Sequence, residues 1–133
     1  MSIARFAWVA IDCPDPLALA NFYGGITGWE INHDDIYFED DGLPGWVELT
    51  STEGAGLSFQ RVKNYSAPTW PGYEVPTQQH IDFKIADLDL GEHQVLELGA
   101  TKPEFQPGGN FRVFLDPVGH PFCLVKTNQD ASS

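Results

Sequence analysis

Apolar and polar residues alternate through His80-Ile-Asp-Phe-Lys-Ile85, with Ile81, Phe83 and Ile85 on one side and His80, Asp82 and Lys84 on the other. That two-residue period predicts a half-buried strand over 79–85. Asp87 then stands where a helix N-cap belongs, and the stretch Leu88–Leu98 runs to a terminating glycine, Gly99. The chain opens in the same way. Phe6-Ala-Trp-Val-Ala-Ile-Asp12 reads as a strand, Asp15 as an N-cap and Pro16 as the first helical residue. Leu19, Phe22, Tyr23 and Ile26 recur at i, i+3, i+4 and i+7 before Gly28, which is one buried helical face. The two openings superpose at one offset, since 80 − 8 and 87 − 15 are both 72.

Each opening is followed by short strands. In the first unit they are Trp29-Glu-Ile31, Gly45–Leu49 and Gly56–Arg61, interrupted by an acidic, Gly-rich stretch from Asp34 to Gly45. In the second they fall near Thr101, at Phe111–Leu115 and at Pro121–Lys126, the last two joined by an Asp116-Pro-Val-Gly119 turn. The pattern predicts an α+β fold of two βαβββ modules forming a curved mixed sheet around a cleft. Module one covers about 3–62, a Pro-rich linker 63–78 and module two 79–126, all within one domain, 1–133. A fold that repeats a module places its chemistry in the cleft that both copies make.

Strand parity divides the side chains. Trp8, Ala10, Asp12, Trp46, Glu48, Ser58, Gln60, His80, Asp82, Lys84, Arg112, Phe114, Cys123 and Val125 are expected on the cleft side. The opposite set, Val9, Ile11, Val47, Leu49, Leu57, Phe59, Val113, Leu115, Phe122 and Leu124, contains no charge and is the expected core.

Charge narrows the function classes. Seven basic against 19 acidic side chains give a formal net of −12, which repels nucleic acid and anionic membranes and attracts cations. Neither partner is expected. No apolar run approaches a membrane span, and Met1-Ser-Ile-Ala-Arg5 leads toward a strand rather than a signal-like apolar segment, so a cytoplasmic protein is expected. Cys13 and Cys123 lack zinc-type spacing and read as two reduced thiols. The polar tail Lys126–Ser133 is expected to fray.

Three segments together carry a family resemblance: Asp15-Pro…Phe22-Tyr23…Gly28-Trp-Glu30, His80-Ile-Asp-Phe83…Asp87-Leu-Asp89, and Leu115-Asp-Pro-Val-Gly-His-Pro-Phe122. In these the chain resembles the vicinal oxygen chelate superfamily, which includes glyoxalase I, extradiol dioxygenases, and fosfomycin- and bleomycin-resistance proteins. Phe59-Gln-Arg-Val62, Pro68-Thr-Trp-Pro71 and Gly119-His-Pro-Phe-Cys-Leu124 resemble its glyoxalase-like branch. The resemblance implies paired βαβββ modules and a homodimer. It also marks four positions that hold a metal in some members, and here they carry Trp8, Ser58, His80 and Cys123. Only His80 is a normal ligand for such a site, so no metal and no other cofactor is expected.

The expected function is metal-free binding of a small, cationic or aromatic molecule by Trp8, Trp46, Glu48, Ser58, Gln60, Asp82, Lys84, Arg112, Phe114 and Cys123. The alternative is a lyase or isomerase acting on a small oxygenated substrate. There His80 would be the general acid/base, with Arg112 or Lys84 holding an anionic group. His80 reads equally as a strand histidine left at a former ligand position. Trp70 and Tyr73 in the linker are candidates for a lid or a dimer contact.

Overall fold

The computed structural model describes residues 2–127; the polar tail beyond Thr127 lies outside them. The chain divides into two compact units, Met1–Tyr65 and Ser66–Ser133. No helix among the described residues is long and apolar enough to cross a membrane.

The first unit runs β1 (Trp8–Cys13), α1 (Pro16–Thr27), β2 (Glu30–Ile31), a 3-10 turn (His33–Asp35), β3 (Tyr37–Phe38), β4 (Pro44–Thr50) and β5 (Gly56–Arg61). Its sheet has the order β1-β5-β4-β2, with β3 also paired to β4. β1 and β5 are parallel, whereas β4 and β5 form an antiparallel hairpin. Parallel neighbours cannot be joined by a tight turn, and here α1 begins the connection. Asp15 caps α1 by accepting from the Ala18 N–H at 3.2 Å, a contact of a kind that contributes about 1 kcal/mol. Gly28 closes it in the left-handed region at φ 78°, which a Cβ would penalise. The buried face of α1, Leu19, Phe22 and Tyr23, covers the sheet side that carries Val47, Leu49, Leu57 and Phe59. Tyr23 stacks on Phe59 with ring centroids 5.8 Å apart.

Strand β3 corrects the expectation of a plain acidic stretch between Asp34 and Gly45. Tyr37 and Phe38 pair with Trp46 and Pro44, and Arg61 holds the following turn through Glu39 at 3.0 Å and Asp41 at 2.7 Å. Neutralising two carboxylates lets an acid-rich segment fold as a hairpin rather than as a solvated loop.

The second unit contains β6 (Ile81–Ile85), α2 (Leu88–Leu98), β7 (Phe111–Leu115) and β8 (Pro121–Lys126). Its sheet order is β6-β8-β7, with β6 and β8 parallel and β7 and β8 antiparallel. Thr101 makes an isolated bridge to Leu115 rather than a strand of its own. α2 has the predicted Asp87 cap and ends at Gly99, φ 115°. Gly91 lets the helix lie close on the sheet, because a Cβ there would meet the tips of Ile85 and Leu124. Phe122 is the centre of this core, stacked on Phe114 at 5.7 Å and edge-on to Phe83 at 6.1 Å. In the Pro-rich segment, Trp70 packs on Phe105 at 6.0 Å while Tyr73 is 90% exposed.

The register corrects the expected placement of Arg112 and Phe114. Arg112 pairs with Leu124 and Phe114 with Phe122, so both lie on the helix-covered side, opposite His80, Asp82 and Cys123. Val113, assigned to the core side, is instead the partner of Cys123. Phe111-Arg-Val-Phe-Leu115 carries apolar residues at both parities, and the charge on Arg112 suggested an open face. That charge is absorbed on the helix side, where the guanidinium reaches Asp89 at 2.8 Å, Glu92 at 3.0 Å and the Leu88 carbonyl at 3.4 Å.

Two stability predictions follow from these contacts. A Cβ on Gly56 would meet the Leu49 carbonyl oxygen at 2.6 Å, whereas one on Gly109 meets nothing within 4 Å. Gly56→Ala should therefore cost about 1–3 kcal/mol in denaturant unfolding and Gly109→Ala under about 0.5 kcal/mol. In the network around α2, Lys102 and then Arg112 hold the Glu92 carboxyl below its ordinary 4.5. The stability this supplies is complete above 4.5 and is lost as the pH falls through the lowered folded value. Lys102→Gln should consequently flatten the acid limb of a plot of unfolding midpoint against pH; an unchanged limb would refute this origin.

Candidate functional site

Strand register brings the predicted residues of the first unit onto one face. One row across the sheet is Tyr37, Trp46, Gln60 and Asp12; the next contains Glu48, Ser58 and Ala10. Trp8 lies beside Gly56 at the edge of this surface, 46% exposed, with its ring edge 3.2 Å from where a Gly56 Cβ would stand. The Trp46 indole N–H donates to the Glu48 carboxylate at 2.8 Å. An aromatic plane and an anionic group are thus tied together at positions i and i+2, and Trp46 and Glu48 are only half-buried. Ser58 is fully buried, and its hydroxyl has no hydrogen-bond partner among the described residues. Such an orphan costs about 1–3 kcal/mol.

The second unit collects a different chemistry. Asp82 and Cys123 are direct partners across the parallel β6–β8 pair, and His80 precedes Asp82 by two residues on the same side. His80 Nε2 lies 3.3 Å from Asp82 Oδ1, both side chains about half exposed, while Cys123 is buried. One ligand-type atom from each residue falls within 4.8 Å of the other two. Burial first, then the hydrogen bond to Asp82 and its negative charge, pushes the Cys123 thiol up to about 11, so it holds its proton at neutral pH. Lys84 shares this face next to Val125. Cys123 and Cys13 are not joined in a disulfide, and the Cys13 thiol donates to the Gln60 carbonyl at 3.6 Å.

Trp8, Trp46, Glu48, Ser58 and Gln60 therefore share one surface, and His80, Asp82, Lys84 and Cys123 share another, each within its own unit. Arg112 and Phe114 belong to neither. Tyr37, 64% exposed in line with Trp46, escaped sequence reading. Its signal was the short run Ile36-Tyr-Phe38, masked by the acids on both sides.

The four metal positions marked by the resemblance do not fit a His/Glu/Gln centre. The Trp8 indole N–H is a donor without a free lone pair, and Ser58 offers only a neutral buried hydroxyl, so two of the four positions supply no ordinary ligand.

Residues 8–125 match the family described as a glyoxalase-like domain. Among solved structures, a glyoxalase/bleomycin resistance protein/dioxygenase family enzyme from Burkholderia phytofirmans PsJN superposes with TM-score 0.68 and 16% identity, over 92% of this chain and 98% of that one. The fosfomycin resistance protein FosX from Mesorhizobium loti gives 0.65 and 17%, over 93% and 92%. A glyoxalase-related enzyme from Fulvimarina pelagi gives 0.61 and 18%, over 94% and 89%. Identities this low speak for the fold alone. No curated protein matches the chain significantly. With the family match spanning nearly all of both βαβ-opened units, the chain belongs to the glyoxalase-like family, in the vicinal oxygen chelate fold.

Proposed function

We propose that the chain binds a small planar cation on the open face of its first unit, with no metal among the contacts. The observation that carries this reading is the Trp46–Glu48 pair, in which one hydrogen bond of 2.8 Å holds a carboxylate beside an indole on a half-exposed surface. A ring stacked on Trp46 or Trp8 gains dispersion and, if positively charged, cation–π attraction of about 0.5–2 kcal/mol. Glu48 and Asp12 supply the countercharge, and Tyr37 extends the aromatic row. A polar ligand atom that reached the Ser58 hydroxyl would also relieve its missing hydrogen bond. The net charge of −12 favours a cation at longer range.

A second reading makes the chain a lyase or isomerase with His80 as general acid/base. The contact with Asp82, 3.3 Å, favours it, because a carboxylate beside an imidazole holds the ring in one orientation. Arg112 leaves that scheme, since it is engaged by Asp89 and Glu92 on the other side of the sheet. Lys84 remains as the basic group on the His80 face.

Titration of tryptophan fluorescence with aromatic cations, from benzyltrimethylammonium to acridine dyes, each beside a neutral isostere, tests the first reading. Saturable quenching by the cation and not by its isostere is expected. Glu48→Gln should weaken it about tenfold, equivalent to about 1.4 kcal/mol, and Trp46→Phe should remove most of the signal. Equal response to charged and neutral ligands, or none across the series, would refute it. For the second reading, His80→Ala should abolish any turnover found with small oxygenated substrates while leaving the circular dichroism spectrum unchanged.

A further inference from the structure

We propose that His80, Asp82 and Cys123 form a site for one thiophilic divalent cation, of the zinc type, held by the second unit alone. None of its donors comes from the first unit. It shares His80 and Cys123 with the positions that the family resemblance marks and differs in its third donor. Asp82 is not among those positions, Trp8 and Ser58 contribute nothing, and the strongest donor is a thiolate.

The geometry follows from strand pairing. Because β6 and β8 are parallel with Asp82 opposite Cys123, their side chains leave the sheet on the same side, and the two-residue spacing brings His80 there as well. A tetrahedral ion with bonds of about 2.0–2.3 Å keeps its donors about 3.3–3.8 Å apart. His80 Nε2 and Asp82 Oδ1 already stand at 3.3 Å, and all three donor atoms lie within 4.8 Å of one another. Closing the remaining gap requires movement of about 1 Å. His80 and Asp82, half exposed, have room for that rotation, whereas Cys123 is buried.

Donor chemistry selects the ion. One sulfur, one imidazole nitrogen and one carboxylate suit Zn²⁺, Co²⁺ or Cd²⁺, whereas Mg²⁺ and Ca²⁺ want oxygen alone. Charge also closes: the Cys123 thiolate and the Asp82 carboxylate together balance a dication, with His80 neutral. On binding, the S–H bond breaks, a sulfur–metal bond forms and the proton leaves to solvent, with no change of oxidation state. Three protein donors leave the coordination shell incomplete on the exposed side, as in zinc sites that accept a further ligand.

The test is titration of the reduced, chelator-stripped full chain with Co²⁺ as a spectroscopic probe. One equivalent should produce tetrahedral ligand-field bands in the visible and a thiolate-to-cobalt charge-transfer band, displaced by Zn²⁺ and not by excess Mg²⁺. Cys123→Ser should abolish the charge-transfer band, and Cys13→Ser should leave it. His80→Ala and Asp82→Asn should each weaken binding by at least the roughly 10–100-fold that loss of even an outer partner costs. Circular dichroism of each apo variant checks the fold. A measurement that needs no variant is Zn²⁺ protection of Cys123 against alkylation, read by peptide mass spectrometry. A spectrum without the charge-transfer band, a band that survives Cys123→Ser, or alkylation of Cys123 unaffected by Zn²⁺ would overturn the proposal.

Discussion

Parallel pairing of the first and last strands of each unit, β1 with β5 and β6 with β8, is the constraint on which the rest of the structure depends. Strands that point the same way need a long connection, and in both units that connection begins with a helix capped by Asp and closed by Gly. The helix must bury its apolar stripe, and the sheet side it covers becomes core: Tyr23 on Phe59 in the first unit, Gly91 close over Ile85 and Leu124 in the second. The other side of each sheet is then left for polar and aromatic groups. The candidate sites are thus what remains of each sheet once its core has been made.

The two faces have the same architecture and different chemistry. At Ala10 opposite Ser58 the first unit pairs small residues, and its hydrogen-bonded indole and carboxylate, Trp46 and Glu48, come from the next strand over. At Asp82 opposite Cys123 the second unit sets a carboxylate against a thiol. Arginine is spent internally in both: Arg61 on Glu39 and Asp41, Arg112 on Asp89 and Glu92. With those guanidiniums engaged in ion pairs, a large excess of acid remains, and the attraction that follows is for cations. That attraction suits both the aromatic cation proposed for the first unit and the metal dication proposed for the second.

Much of this was legible beforehand for a local reason. The caps at Asp15 and Asp87, the terminating glycines and the buried stripe of α1 depend on residues within a few positions of one another. The strict alternation in β4, β5 and β6 likewise located one open face per unit. Legibility stopped where the signal was not local. β3 is two residues long and exists because β4 offers it an edge, with Arg61, far along the chain, holding its turn. β7 has apolar residues at both parities, so only its pairing with β8 decided that Arg112 and Phe114 face the helix.

The sequence by itself determined the βαβ openings, their repetition, the apolar core positions and the surplus of acid, because short-range periodicity and charge are written directly in residue order. Only the tertiary structure decided which side chains meet. That His80, Asp82 and Cys123 converge, that Tyr37 extends the row of Trp46, and that Arg112 turns to α2 are matters of strand register. Register is set by pairing between residues distant in the chain, where a shift of one position exchanges the two faces of a sheet.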